Sequence, residues 1–583
     1  MCGILGYFTN KEISNTQLHK LNQASNYLKI RGPDYLGIKK GKKYFLANSR
    51  LKIVSRKNYI LPLFKHNCYI SFSGEILNYK NLKNFLISKK YVFTTETDTE
   101  IILSLYDYYG LKFCDYLQGF FAVSIFDIKK NKLILVVDRI GNKNIYYNYS
   151  NKKIFFSSEQ SYMFKSGFLE FEINQNKVDE HLVFGDIAGS QTLHKNLKKL
   201  LPGEVLEYNF KDILVNSYYK LDRFVINSDK SVKKNNLKDS VDGIKNIITS
   251  TINIWNNNCA YNKSILLSGG IDSGLIAMVL SNKTKKLTSY TSKFPSISSN
   301  NPFNEESSIS EMVKEFNIEK NMITCSEDEL LNNLSEIYSS FNEPSPSNSL
   351  LLKFLTKSMK KKNDQKICFT GDGADEVFGG YERHIAIANK YKYKNDNNII
   401  AMGYNYLSVN RLKKFFNKDF ETPKLRLSYL NGLKNVSTVN KILLYDLRFY
   451  LPMFLRSMEQ IGMASSIEYR SPFTDHKLIE ESFRLNDKFK IFKFSNKFIL
   501  KKVFSAIGNK IIIKKRKFED PYLEKQFNNG LFKDIIMQLT NNSAIAMYYP
   551  VQGIKNLLKD NINARHNNTL MRLVALELFL QSK

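Results

Sequence analysis

The chain has 583 residues with 86 Lys and Arg against 55 Asp and Glu, a formal charge of +31, and it is 43% hydrophobic and 13% aromatic. That length exceeds one ordinary core, so two or more domains are expected, and the apolar content excludes wholesale disorder. The lysines are spread among Asn, Ile and Tyr, as in Lys390-Tyr391-Lys392-Tyr393-Lys394, which reads as a solvated surface and not as a nucleic-acid face. Cys2, Cys68, Cys114, Cys259, Cys325 and Cys368 form no C-x-x-C pair, so neither a disulfide framework nor a zinc site is indicated. No uncharged apolar run approaches the ~18 residues of a membrane helix, and the first residues lack the pattern of a signal peptide, so a cytoplasmic protein without membrane contact is expected.

In chain order, residues 2–8, 69–72, 120–127, 133–137, 145–147 and 154–156 are short β-rich runs, several without polar alternation, which predicts strands covered on both faces. Helical patterns lie between them at 16–29 and 99–109, the second preceded by Asp98 as a capping candidate. The first part therefore reads as layered α+β. Residues 224–238 are polar and charged and read as a linker. After them come strand-turn-helix units: a β-run at 264–267, the turn Ser268-Gly269-Gly270-Ile271-Asp272-Ser273 and a helix at 274–280, then a β-run at 366–369 before Thr370-Gly371-Asp372-Gly373-Ala374-Asp375-Glu376. This predicts a parallel α/β sheet, followed beyond Tyr381 by a mainly helical part.

The first chemical candidate is Cys2. Once Met1 is removed, its α-amino group, with an unperturbed pKa of about 7.7–8, lies beside a thiol of about 8.5, so one residue supplies both base and nucleophile. The same region carries Arg31-Gly32-Pro33-Asp34, Arg50, Ser73-Gly74-Glu75-Ile76-Leu77-Asn78, Thr97-Asp98-Thr99-Glu100 and Leu117-Gln118-Gly119-Phe120-Phe121-Ala122. Over about residues 2–215 these motifs resemble class II glutamine amidotransferase domains. The resemblance implies a four-layer αββα fold of the N-terminal nucleophile (Ntn) hydrolase kind. It assigns Arg50 to the carboxylate of glutamine, Glu75 and Asp98 to its ammonium, and the Gly74 N–H with the side chain at position 73 to an oxyanion hole. Ser73 departs from the family's Asn, replacing an amide donor by a shorter hydroxyl.

The second candidate is the glycine-rich turn after residue 267, where backbone can approach phosphate and a helix N-terminus offers unpaired N–H groups. No Walker P-loop is present. Ser268-Gly269-Gly270-Ile271-Asp272-Ser273 is similar to the PP-loop of ATP pyrophosphatases, and the signature running from Thr370 to Tyr381 is similar to that of asparagine synthetases. So are Gly462-Met-Ala-Ser-Ser-Ile-Glu-Tyr-Arg-Ser-Pro-Phe473 and Ser495-Asn496-Lys497-Phe498-Ile499-Leu500-Lys501. The resemblance implies ATP as a substrate bound by Leu267, Ser268, Gly269, Gly270, Asp272, Ser273, Thr370 and Gly371, with Ser292 a poorer match, and Mg²⁺ on Asp272 and Asp375. Asp372, Tyr381 and Lys497 are its catalytic candidates, Lys497 neutralising charge that develops on the phosphates.

With both parts in order, the whole chain resembles a glutamine-hydrolysing asparagine synthetase: a glutaminase domain over 2–215, a linker over 216–240 and a synthetase domain over 241–583. That resemblance implies adenylation of a carboxylate followed by attack of ammonia, with glutamine, ATP and aspartate as substrates and a homodimer as a further expectation. Asp372 stands where asparagine synthetases often have Glu, residues 341–347 match an Asp-Glu-Pro stretch only in part, and Lys517 replaces a usual Gly. These departures keep a different carboxylate, such as a sugar uronic acid, as the alternative acceptor. A tRNA-handling PP-loop ATPase is the remote reading, opposed by the fused Cys2 domain.

Overall fold

The computed structural model describes residues 2–54, 57, 59–228, 236–257, 261–284, 286–293, 305–324, 338, 341–344, 348–362, 365–394, 396–403, 407–420, 424–507, 543–559 and 564–582. The apolar runs of the first part pair as β1 (Gly3–Thr9), β2 (Tyr35–Lys40), β3 (Tyr44–Arg50), β4 (Leu63–Lys65), β5 (Cys68–Ile76), β6 (Gly119–Asp127), β7 (Lys132–Val137), β8 (Tyr146–Ser150), β9 (Lys153–Ser157), β10 (Lys198–Lys199), β11 (Glu204–Tyr208) and β12 (Ile213–Ser217). They form two antiparallel sheets, ordered β10-β8-β9-β1-β3-β2 and β12-β11-β7-β6-β5-β4.

All seven residues of β1 are buried, which is why that strand shows no polar alternation. Its faces still alternate. Ile4 and Phe8 join Phe126, Leu133, Leu135 and Leu206 of the other sheet in one apolar cluster, so the two sheets face each other. Leu5 and Tyr7 point the opposite way, to Leu21 and Ala24 of the helix Asn15–Tyr27. On the far side of the second sheet, Ile70, Phe72 and Val123 pack on Leu82 and Leu86 of the helix Tyr79–Ser88 and on Ile101 and Leu105 of the helix Asp98–Tyr109.

The second part centres on β13 (Lys263–Leu266), β14 (Leu287–Lys293), β15 (Glu319–Thr324), β16 (Ile367–Phe369) and β17 (Glu468–Arg470), ordered β15-β14-β13-β16-β17. All four pairings are parallel, as the strand-turn-helix units predicted. The helix Leu237–Asn257 buries Ile244, Ile248, Ile252 and Trp255 at three- and four-residue spacing. Those residues share one cluster with Leu51, Leu77 and Phe120 of the first part, and the Phe120 and Trp255 rings lie 4.8 Å apart. The core therefore continues across the seam between the two parts.

Two local expectations are corrected and a third, the mainly helical part beyond Tyr381, holds with one strand added. Asp98 is not the cap: Thr97 is, with extended backbone, while Asp98 opens the helix and turns its carboxylate to the Ile76 N–H of β5. The polar stretch after 223 begins inside a helix, Leu221–Ser228, because Val225 is fully buried in the shared core; residues 229–235 lie outside the described ones. The helical part beyond Tyr381 also contributes β17, a three-residue strand whose buried Glu468 and Arg470 hide it from an apolar-pattern reading.

Candidate functional site

Cys2 immediately precedes β1, Arg50 ends β3, Ser73-Gly74-Glu75 lies near the end of β5 and Asp98 opens its helix, so the sheets and one helix deliver these six expected residues to one corner. Burial pushes the Cys2 thiol above its ordinary value, opposed by the Leu51 N–H and the Arg50 charge, while Asp98 adds to the rise. Asp98 is pushed up to about 6 by burial, although N–H donors such as Ile76, at 3.0 Å, favour its charged form. Arg50 is buried, donates to the Lys57 carbonyl at 2.8 Å and lies 5.0 Å from the centre of the Tyr59 ring. Gly74 has φ +139°, and a Cβ there would overlap the Phe120 carbonyl oxygen, so only glycine fits.

Two expected roles meet other partners. The Ser73 hydroxyl donates to the carbonyl of Cys2 itself at 2.6 Å, an oxygen also approached by Arg31 Nε at 3.3 Å. Position 73 thus braces the main chain of Cys2. The buried Glu75 carboxylate is ion-paired with Arg470 of the second part. Arg31, fully buried, pairs with Glu159 and with Glu459 across the seam. Arg31 and Arg470 stood in recognised motifs without a role, and Glu459 was missed, because nothing in their local pattern names a partner some 400 residues away.

At the second centre, Gly270 caps the helix Ile271–Ser281 without a side-chain hydrogen bond, so the first N–H groups of the helix have no side-chain cap. Ser273 Oγ instead accepts from the Ser268 N–H at 3.2 Å and closes the turn internally. Thr291 on β14 donates to the Leu267 carbonyl at 2.6 Å; Ser292 is the next residue, half-buried on the same strand. Thr370 donates its N–H to the Arg470 carbonyl at 2.9 Å, and its hydroxyl lies 2.8 Å from Ser471 Oγ.

Lys497 lies between the two acidic motifs, its Nζ 2.5 Å from Asp272 and 2.6 Å from Asp375. Burial alone would lower its pKa, but the two carboxylates outweigh that and raise it. Asp272 is pushed up to about 6 by burial, with Asp375 and Asp372 adding like charge against the pull of Lys497. Gly380 makes this packing possible, since a Cβ there would overlap both the Asp375 carboxylate and the Lys497 side chain. Asp272 Oδ1 and Asp372 Oδ2 are buried acceptors without a hydrogen-bond partner among the described residues. Tyr381 donates its hydroxyl to Glu376 at 2.8 Å, and burial pushes Glu376 up to about 8 with Asp375 and Asp446 adding to the effect. Glu376 stood in the recognised acidic motif without an assigned role. Lys517 and residues 345–347 lie outside the described residues.

The description "Glutamine amidotransferase domain" matches residues 1–219, and "Asparagine synthase" matches residues 262–581, more than half of the chain. The chain belongs to the asparagine synthase family. It is 24% identical to asparagine synthetase [glutamine-hydrolyzing] 1 of Bacillus subtilis (strain 168), over 98% of this chain and 94% of that one. It is 23% identical to asparagine synthetase [glutamine-hydrolyzing] 3 of the same organism, over 90% and 87%. This family member is thus an amide-forming ligase, a glutamine amidotransferase fused to an ATP-using synthetase, and its chemistry is glutamine-dependent amide synthesis. No helix among its described residues is long and apolar enough to cross a membrane.

Among the described residues no three acidic, His or Cys side chains gather as a metal cage. Mg²⁺ is commonly held by one or two carboxylates together with substrate phosphates, and Asp272, with its unpartnered oxygen, and Asp375 meet that requirement.

Proposed function

We propose that this chain is a glutamine-hydrolysing asparagine synthetase, with a glutaminase unit over 2–215 and a synthetase unit over 241–583, the connection over 216–240 including the packed helix Leu221–Ser228. Two facing sheets with helices outside support a four-layer αββα reading of the first unit. The observation that carries the synthetase reading is Lys497 held between Asp272 and Asp375 beside a helix N-terminus that lacks a side-chain cap.

In the glutaminase unit, the α-amine of Cys2 takes the thiol proton and the thiolate attacks the amide carbon of glutamine. Arg50 holds the substrate carboxylate and Asp98 its ammonium, with Glu75 adding negative charge from beside Arg470. The Gly74 N–H stabilises the oxyanion. Ammonia leaves, and water releases glutamate from the thioester.

In the synthetase unit, Leu267, Thr370, Gly371 and the 268–273 turn hold ATP, with Ser292 at its edge. An oxygen of the aspartate side-chain carboxylate attacks the α-phosphorus and pyrophosphate departs. Lys497 holds positive charge against the departing phosphates. Asp272 and Asp375 would hold Mg²⁺, which supplies further charge neutralisation there. Ammonia then attacks the activated carbonyl, releasing AMP and leaving asparagine. Asp372 and Tyr381 lie at this centre, and the unpartnered Asp372 oxygen suits contact with the acceptor amine.

The test is pyrophosphate release with ATP, Mg²⁺ and ammonia over a panel of carboxylates, together with glutamate release from glutamine. Release dependent on aspartate is expected. Turnover of a uronic acid with no response to aspartate would reject aspartate as acceptor, a result that Asp372, one methylene shorter than Glu, would rationalise. Cys2→Ala should abolish glutamate release, and unchanged release would reject the assignment of the nucleophile.

A further inference from the structure

Arg470 is fully buried and reaches both centres. Its guanidinium pairs with Glu75 on β5, with Glu468 at 2.7 Å and with the carbonyl of Trp255. Its main chain belongs to β17, where Phe369↔Arg470 is the last parallel pair with β16. The Arg470 carbonyl accepts the Thr370 N–H, and Ser471 next to it meets the Thr370 hydroxyl. One residue therefore has its side chain on the Ser73-Gly74-Glu75 segment and its backbone on the nucleotide loop.

We propose that Arg470 is a positioning residue through which the synthetase unit sets the glutamine-binding carboxylate, so that nucleotide at Thr370 changes the affinity of the Cys2 centre for glutamine. The proposal rests on the glutaminase reading of Cys2. A guanidinium presents a rigid planar fork and can orient two carboxylates at once, which a lysine ammonium cannot do. The fork is anchored at Glu468 and the Trp255 carbonyl, so a shift of β17 at the Thr370 bond is transmitted to Glu75 and not absorbed by a loose side chain. Misplacing a site group by about 1 Å can cost on the order of 10²-fold. Such coupling must also be reciprocal, each ligand changing the other's affinity by one factor.

Arg470→Lys keeps the buried charge and removes the fork. Glutamate release would be titrated with glutamine, with and without ATP. In wild-type protein ATP is expected to lower the glutamine KM about fivefold or more. In Arg470→Lys the KM is expected to rise about tenfold, with kcat changed much less and the response to ATP lost. A wild-type KM that still responds to ATP in the variant would overturn the proposal, as would a fall in kcat alone. If Arg470→Lys does not fold, binding to Cys2→Ala protein decides: ATP and glutamine should shift each other's Kd by the same factor, and mutual independence overturns the coupling. Wild-type protein that releases no glutamate at all would instead overturn the glutaminase reading, whereas glutamine hydrolysis indifferent to ATP would overturn the Arg470 proposal alone.

Discussion

Ser73 shows how one side chain changes the expected chemistry. Its hydroxyl is engaged by the Cys2 carbonyl, so the oxyanion of the proposed glutaminase would be held by the Gly74 N–H without a side-chain amide. Loss of one oxyanion donor typically costs about 10²–10³ in rate, so Ser73→Asn should raise glutaminase kcat by up to about 10²-fold, read as glutamate release at saturating glutamine. Asp98 sets a pH dependence. Its folded-state pKa is raised to about 6 by burial, so its charged form, which the proposed contact with the substrate ammonium needs, is lost as pH falls through about 6. Glutaminase kcat/KM should therefore fall below about pH 6, and Asp98→Asn should remove that limb of the profile along with most of the activity. The stability linkage has the opposite sense: between about pH 4 and 6 the native Asp98 retains a proton that the unfolded chain has released, so this group's stabilisation is full at low pH and is lost as pH rises through about 6.

Among elements, the helix Phe498–Ala506 is decisive because the residue before it, Lys497, takes left-handed backbone with φ +46° and sends its ammonium between two acidic motifs. Asp272 begins a helix of its own, and Asp375 belongs to the short helix Ala374–Phe378, so three separate helix starts converge on one charge cluster. Lys497→Gln would leave Asp272 and Asp375 facing each other without their cation. Ammonia-supported pyrophosphate release should then drop by about 10²–10³, the scale for loss of one stabilising group at developing charge. Recovery of wild-type rates at high Mg²⁺ would show that Lys497 serves only to separate the carboxylates. The turn and its helix were legible in advance because a strand, a glycine-rich turn and an apolar helix follow one another within twenty residues. β17 was not legible: it is three residues long and two of them are buried charged side chains.

At the scale of the molecule, the two units share an apolar core around Trp255 and are cross-tied by Arg31–Glu459 and Arg470–Glu75. Trp255 is 2% exposed, and its indole N–H also donates to Asp475 at 3.2 Å. Trp255→Ala should therefore destabilise the protein by about 3–5 kcal/mol, measured by denaturant unfolding, and a cost below 1 kcal/mol would show that the seam is not a cooperative part of the fold. The +31 charge gains little functional meaning from this architecture. The cations with assigned partners at the two centres, Arg31, Arg50, Arg470 and Lys497, are all buried, and they face carboxylates or carbonyls of the protein itself.

By itself the amino-acid sequence determined the order of the two family domains, the strand-turn-helix setting of the second and the candidate residues of each, because each of those signals is carried by neighbours in the chain. Only the tertiary structure decided which of the buried charges answer one another. Arg31 meets Glu459 across 428 residues and Glu75 meets Arg470 across 395, and no local period or spacing encodes such pairs. The physical reason is desolvation: a charge buried at the seam is tolerable only beside its partner, and that partner is fixed by how the two sheets and the parallel core pack, not by the residues on either side of it.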